Sequence, residues 1–372
     1  MYGKRFLCSM LALSLSIWFV GCKPNYVSAG NNQAGATPSL APTQTAEPTP
    51  TPDPLDAIFA KEGEEIVVYK ANGQEIDPYA KGAPLPDYWL YNSYNLRVEI
   101  TQHINTEEVM TYYVADIRFR NDMHETSGFG GKKAPGTGRN KPNKLARYYG
   151  AVFAQNGDYL IHQEKELKGI LIRDGVVYNE GTKEDTLAFM PDGSLKLFAP
   201  GETTAQELLD QGVQTTYSFG PILVQDGKVN ENMRNLRGIN NNRNPRSGIG
   251  MVEPGHLISI VVEGRLPRSK GIPLKRFAEL FVEQGCTLAY NLDGGASASM
   301  VFLGNMCNST INDGDVYLGP RPMVDMIIFG TSELCPPVGG KEYHSGTLVG
   351  NGATKKTTPS ATPSATPTST VQ

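Results

Sequence analysis

The sequence lacks the short motifs that mark a catalytic zinc site. Its five cysteines include no C-x-x-C pair, and its five histidines include no H-E-x-x-H and no closely paired set. His103, His124, His162 and His256 therefore read as structural residues. A basic tract is also missing. Lysine and arginine total 34 against 38 aspartates and glutamates, a formal net charge of −4 with the signs mixed along the chain, which excludes a nucleic-acid partner. Long apolar runs are absent with one exception, Phe6 to Val20, and serines interrupt that one before it is long enough to span a bilayer.

That run fixes the expected compartment. Lys4 and Arg5 precede it and Gly21-Cys22 follow it, the build of a secretory signal. Phe19-Val20-Gly21-Cys22 resembles the lipobox of bacterial lipoproteins, with Phe where Leu is commoner. Cleavage before Cys22 would leave a lipidated N-terminus, holding an extracytoplasmic protein to the membrane at the bacterial cell surface. The plainer alternative is ordinary signal cleavage with Cys22 incidental. Beyond residues 1–22, residues 23–55 are dominated by Ala, Thr, Pro, Ser and Gln, and residues 336–372 repeat that composition. Neither stretch holds enough apolar surface to offset chain entropy, so both read as disordered arms. Between them lie roughly 280 residues, enough for one large domain with a small appendage. We divide them into an N-terminal extension of unassigned role, 56–95, and a catalytic domain, 96–335. Cys8 leaves with the signal and Cys22 takes the lipid. Of Cys286, Cys307 and Cys335 two could form a disulfide, and Cys286 reads as core.

From Leu96 onward the pattern is strand-like. Leu96 to Ile100 alternates, and Thr111 to Ile117 is rich in aromatic and β-branched residues. Asp174-Gly175, Asp192-Gly193 and Asp226-Gly227 each lie between apolar runs, which predicts three hairpins. Two helices are marked: one after the capping-box spacing Thr204-Ala205-Gln206-Glu207, with Gly212 placed to end it, and one from Pro273 to Gly285, with Leu274, Phe277, Leu280 and Phe281 on one stripe. A strand, Thr287 to Leu292, then runs into Asp293-Gly294-Gly295, and another, Met300 to Leu303, follows. The fold class expected is α+β, a sheet-dominated single catalytic domain with few helices. Asp122 to Lys144, rich in Gly, Lys, Asn and Pro, reads as a long loop.

Four polar clusters could carry chemistry. Asp293 stands where a strand ends, and Gly294 and Gly295 let the backbone turn and bring amides close to a ligand. With the hydroxyls of Ser297 and Ser299 they make a cradle for a phosphate or a sugar, Asp293 serving as acid, base or positioning acceptor; the alternative is a hairpin whose Asn291 and Asp293 only satisfy turn amides. Asn156-Gly157-Asp158 follows an apolar strand and offers either a second polar site or a plain hairpin. Arg246, within Asn244 to Gly250, enters a strand and could grip a phosphate bidentately. Glu263-Gly264-Arg265 places a carboxylate and a guanidinium at a strand end, where they could simply pair with one another. Calcium or magnesium would suit the oxygen ligands of Asp158, Asp293 and nearby asparagines; no cofactor is required by any motif.

Taken in order, Asn156 to Tyr159, Phe219 to Gly227, Asn244 to Gly250, Val262 to Arg265 and Asn291 to Phe302 resemble the phosphodiester glycosidase family. That family includes an enzyme removing N-acetylglucosamine from a sugar phosphodiester, and bacterial proteins associated with exopolysaccharide. The chain departs from its pattern at Ala296, commonly a third glycine, and at Glu263, often Asp. The resemblance implies an extracytoplasmic hydrolase acting on a sugar-1-phosphodiester in a cell-envelope glycopolymer such as a teichoic acid. Arg246 and the Gly294 and Gly295 amides would hold the phosphodiester, with Asn156, Ser297 and Ser299 beside them. Asp293 or Asp158 would stabilise an oxocarbenium-like centre or activate water, and Arg265 would orient Glu263, a third catalytic candidate, or touch phosphate. The expelled phosphate monoester is a far better leaving group than an alcohol, so general-acid help matters less than in ordinary glycosidases. Two other readings share the cleft: a non-catalytic glycan-binding or polymer-assembly protein, and a glycosyl transferase differing only in what attacks.

Overall fold

A computed structural model of the chain describes residues 54–120, 126–129, 138–158, 169–235, 238, 240–310, 320–336 and 338. The export signal, Cys22, Tyr159 and nearly all of the two arms lie outside these residues.

The alternating segments form long antiparallel strands. β1 (Glu65–Ala71), β2 (Gln74–Glu75), β3 (Tyr88–Ser93), β4 (Leu96–Asn105) and β5 (Met110–Phe119) lie side by side in the order β5-β4-β3-β1-β2. Residues 65–93 thus continue the sheet that begins with β4. A second group opens with β6 (Thr126–Phe129), α1 (Pro142–Tyr149) and β7 (Ala151–Asn156). This corrects the expectation of a loop from Asp122 to Lys144, since a strand lies inside that stretch and a helix starts in it. The strand was illegible because Thr-Ser-Gly-Phe carries a glycine that packing demands: a Cβ on Gly128 would sit 2.6 Å from Ile328. The helix has its signals, Pro142 in its first turn and Gly150 in the left-handed region after it, at φ 64°.

Next come the hairpin strands β8 (Ile170–Arg173), β9 (Val176–Glu180), β10 (Thr186–Phe189) and β11 (Leu195–Phe198). Helix α2 (Ala205–Asp210) carries the capping box read from Thr204 and Glu207. Then follow β12 (Thr215–Tyr217), β13 (Ile222–Gln225), β14 (Lys228–Val229), β15 (Arg246–Glu253) and β16 (His256–Val262). Helix α3 (Leu274–Glu283), β17 (Leu288–Asn291), β18 (Met300–Phe302), β19 (Asn305–Met306) and β20 (Asp325–Thr331) close the domain. All three Asp-Gly hairpins form, and at two of them Asp174 and Asp226 take the positive φ of 51° that a tight turn requires.

Ten strands make one sheet in the order β14-β13-β17-β15-β16-β5-β4-β3-β1-β2, and five make another, β19-β18-β7-β20-β6. Alternation decides how they stack. Leu257 and Val261 of β16 join Ile327 and Phe329 of β20 in the core between the two sheets. Their neighbours turn outward: Ile258, Ile260 and Val262 pack on Phe277 and Phe281 of α3, while Met326 and Ile328 pack on Leu145 and Ala146 of α1. The result is a two-sheet sandwich with one helix on each outer face, a sheet-dominated α+β domain. Among the described residues Cys286, Cys307 and Cys335 are free thiols, so the disulfide that two of them could have formed is not made.

Candidate active site

β17 lies in the large sheet between β13 and β15, and the chain leaving it crosses to β18 in the other sheet. The crossing segment is the Gly-rich turn. Leu292 donates to Ser247 O at 2.8 Å, and the Gly295 N–H donates to Pro245 O at 3.0 Å. Gly294 must be glycine, because a Cβ there would lie 2.7 Å from Pro245 O. Gly295 adopts φ 60° and opens a 3-10 turn, Gly295–Ser297. The turn is therefore pressed onto the start of β15, and the Gly295 amide expected to hold phosphate is taken up by Pro245.

Asn156 holds the turn from below. Its Nδ2 donates to Asp293 O at 2.6 Å and its Oδ1 accepts from Ser299 N at 3.0 Å, so one amide bridges both ends of the turn. Asn156 and Ser299 are buried. They set the shape of the turn, and neither lines the cavity above it.

That cavity has a volume of about 200 Å³, and Asp293, Arg246, Arg265, Gly294 and Gly295 line it together. Phe219, Gly220, Pro221, Leu274 and Ala296 supply its apolar wall, and Asn240, Asn244 and Asn291 its amides. Among the described lining residues Asp293 is the one carboxylate. Arg321 lines the cavity too, and its Nη2 donates to Asp293 Oδ2 at 2.9 Å while its Nε donates to Ser297 Oγ at 2.9 Å. Ser297 thus acts on the site through Arg321 and does not line the cavity. Arg246 is buried at the root of β15, where Nε donates to Ile272 O at 3.1 Å and Nη2 to Asn242 O at 2.8 Å. Burial pushes its pKa down to about 10, so it stays a cation near neutrality. Arg265 has the positive φ of 60°, rare for its type, and this carries its guanidinium over Gly295 and beside Asn244 Oδ1, 3.4 Å away.

Two expected carboxylates lie elsewhere. Glu263 is buried and bonded to Arg268 at 2.8 Å, to the Tyr113 hydroxyl at 3.2 Å and to the Ser309 amide at 2.7 Å. Its arginine partner is the one five residues on, because the left-handed backbone at Arg265 turns that side chain away. Asp158 sits behind the cavity wall. It meets Arg173 at 3.1 Å and accepts from the Ser218 N–H at 3.0 Å, next to wall residue Phe219. Arg173 also meets Asp325 at 2.7 Å and lies 4.1 Å from the Tyr217 ring centroid. Neither Glu263 nor Asp158 lines the cavity. Nor does Asn156-Gly157 form a hairpin: Asn156 pairs with Met326, and Gly157 is small because a Cβ would come within 2.8 Å of Tyr217. Among the described residues no group of three or more His, Cys, Asp or Glu side chains could hold a metal ion.

Arg321 was missed by sequence reasoning. Its one signal is its place between Pro320 and Pro322 ahead of β20, since flanking prolines stiffen the backbone that presents it.

Residues 149–330 match the family described as Phosphodiester glycosidase. Over 154 residues the chain is 34% identical to the SPbeta prophage-derived uncharacterized protein YomE of Bacillus subtilis (strain 168), covering 40% of this chain and 24% of that protein. Over 212 residues it is 26% identical to the N-acetylglucosamine-1-phosphodiester alpha-N-acetylglucosaminidase of Bos taurus, covering 52% of this chain and 40% of that enzyme. The chain thus spans less than half the length of these curated relatives. The zebrafish catalytic domain of the same enzyme, auto-inhibited by its pro-peptide, shares the fold with a TM-score of 0.53 at 18% identity, over 72% of this chain and 88% of that one. A hypothetical protein from Synechocystis shares it with a TM-score of 0.51 at 11% identity, over 64% and 62% of the two chains.

Proposed function

We propose, from the match of residues 149–330 to the phosphodiester glycosidase family and from the chemistry of the cavity, that the chain hydrolyses the glycosidic bond of a sugar-1-phosphodiester. The observation that carries this reading is the meeting of one carboxylate, Asp293, with Arg246, Arg265 and Arg321 around a single cavity. Arginine is the side chain whose planar fork matches phosphate oxygens. A carboxylate bonded to an arginine can stabilise positive charge or orient water. One such group suffices here. Water adds to the anomeric carbon, the bond from that carbon to the phosphate oxygen breaks with its electron pair going to phosphate, and the water's proton ends on the phosphate monoester or solvent. Arg246 and Arg265 balance the charge growing on the leaving phosphate.

The reading extends to the setting. The N-terminal signal and Cys22 support an extracytoplasmic lipoprotein at the bacterial membrane surface, where a sugar-phosphate glycopolymer of the cell envelope is the substrate at hand. To test the reaction, the purified protein is incubated with an N-acetylglucosamine-1-phosphodiester in water enriched in oxygen-18. The expected result is free sugar carrying the heavy oxygen and an unlabelled phosphate monoester. Label in the phosphate, or no released sugar while the ligand still binds, defeats the proposal and favours a phosphodiesterase or a glycan-binding protein in turn.

A further inference from the structure

Asn291 ends β17 in the wall of the cavity. Its backbone N–H donates to Pro221 O at 3.1 Å, and its side-chain Nδ2 donates to Gly220 O at 2.8 Å. A carbonyl can be met only by the amide nitrogen, so this bond settles which fork of the side chain is which. The other fork, Oδ1, is buried and receives no hydrogen bond, in a residue only 3% exposed. Asn291 stands directly opposite Gly248 in the β15–β17 pair, and a Cβ on Gly248 would lie 3.0 Å from the Phe277 ring of α3. Residues opposite one another project to the same face, so the asparagine side chain is on the α3 side, where Leu274 and Arg246 line the cavity.

An acceptor that is buried and unmet has already lost its water. A ligand bringing a donor gives up its own hydration there and displaces nothing from the protein, so the bond it forms contributes more than usual. We propose that Asn291 Oδ1 accepts a hydrogen bond from an O–H or N–H group of the bound sugar, and that this contact selects substrates whose ring carries a donor at that position. The proposal rests on the sugar-phosphodiester reading of the cavity. It accounts for an asparagine where bracing Gly220 alone would need only the nitrogen.

The test is a titration calorimetry panel with the full chain: N-acetylglucosamine 1-phosphate, glucose 1-phosphate and the 2-, 3-, 4- and 6-deoxyglucose 1-phosphates. One deoxy analogue is expected to bind the wild type on the order of tenfold more weakly than its parent. Asn291→Leu, which keeps the shape without the acceptor, should bind that analogue and its parent equally well. Asn291→Ser, too short to reach, should do the same and replaces the leucine variant if that one does not fold. Binding of every analogue with equal affinity by the wild type overturns the proposal alone, as does full discrimination surviving in a folded variant. Failure of all the sugar phosphates to bind overturns the underlying reading and the proposal with it.

Discussion

Arg321 with Asp293, and Arg173 with Asp158 and Asp325, are built from the same two side-chain types. The first pair meets at 2.9 Å with the side chains 24% and 11% exposed. The second assembly has contacts of 3.1 and 2.7 Å with every side chain at 2% exposure or less. Access to solvent separates them. A carboxylate that faces a cavity can exchange an arginine contact for a ligand, whereas one sealed under a wall can only hold the wall in place. Equal residue types at equal distances are therefore no guide to which pair does chemistry.

Changing one member of each group separates the two roles. Asp293→Asn should lower the rate of sugar release by about 10²- to 10⁴-fold while thermal unfolding stays close to wild type; a variant with full activity would remove Asp293 from the reaction. Arg173→Leu should act on the other side of the ledger, costing about 3–5 kcal/mol of stability because two buried carboxylates lose their cation. Denaturant titration reads this, and a near-neutral result would mean the carboxylates share a proton and need no arginine. Asn156→Ala should cost about 1–3 kcal/mol, since the Ser299 N–H is left buried without its acceptor. Its activity should fall through kcat more than KM, because the turn that carries Asp293 is released.

The buried cluster also makes stability depend on pH. Burial, aided by the charge of Asp158 and opposed by Arg173, pushes the Asp325 carboxyl up to about 7. The folded chain then keeps a proton that the unfolded chain loses near pH 4. Stability from this group is present in acid, falls as pH rises from about 4 to about 7, and is level above that. Asp325→Asn should flatten that slope in a series of melting temperatures. An unchanged slope would show that the proton resides elsewhere in the cluster.

The sequence carried the turn and withheld its neighbours, for a physical reason. Gly294, Gly295 and the strand ends around them answer to local backbone geometry, and local geometry is written in adjacent residues. The sheet-dominated fold was legible in the same way, through alternation in β4, the aromatic and β-branched run of β5 and the Asp-Gly turns. Asp158 and Glu263 looked equivalent to Asp293 because charge is visible in a sequence and burial is not. Glu263 was assigned to Arg265 by nearness along the chain, yet a single positive φ redirected Arg265 and left Arg268 to take its place. Arg321, 28 residues from Asp293, enters only because two sheets stack, and no local pattern encodes that. The short strand Thr126–Phe129 was lost to a glycine kept small by Ile328.

The Gly-rich turn is also the span by which the chain passes from one sheet to the other, with Asn156 of β7 fastened to both its ends. It behaves as a stitch across a seam. Any slippage of one layer over the other pulls on Asp293 directly, so the carboxylate registers the alignment of the whole sandwich. Loosening a core side chain such as Phe329, which touches no part of the cavity, becomes a way of detuning the site from a distance.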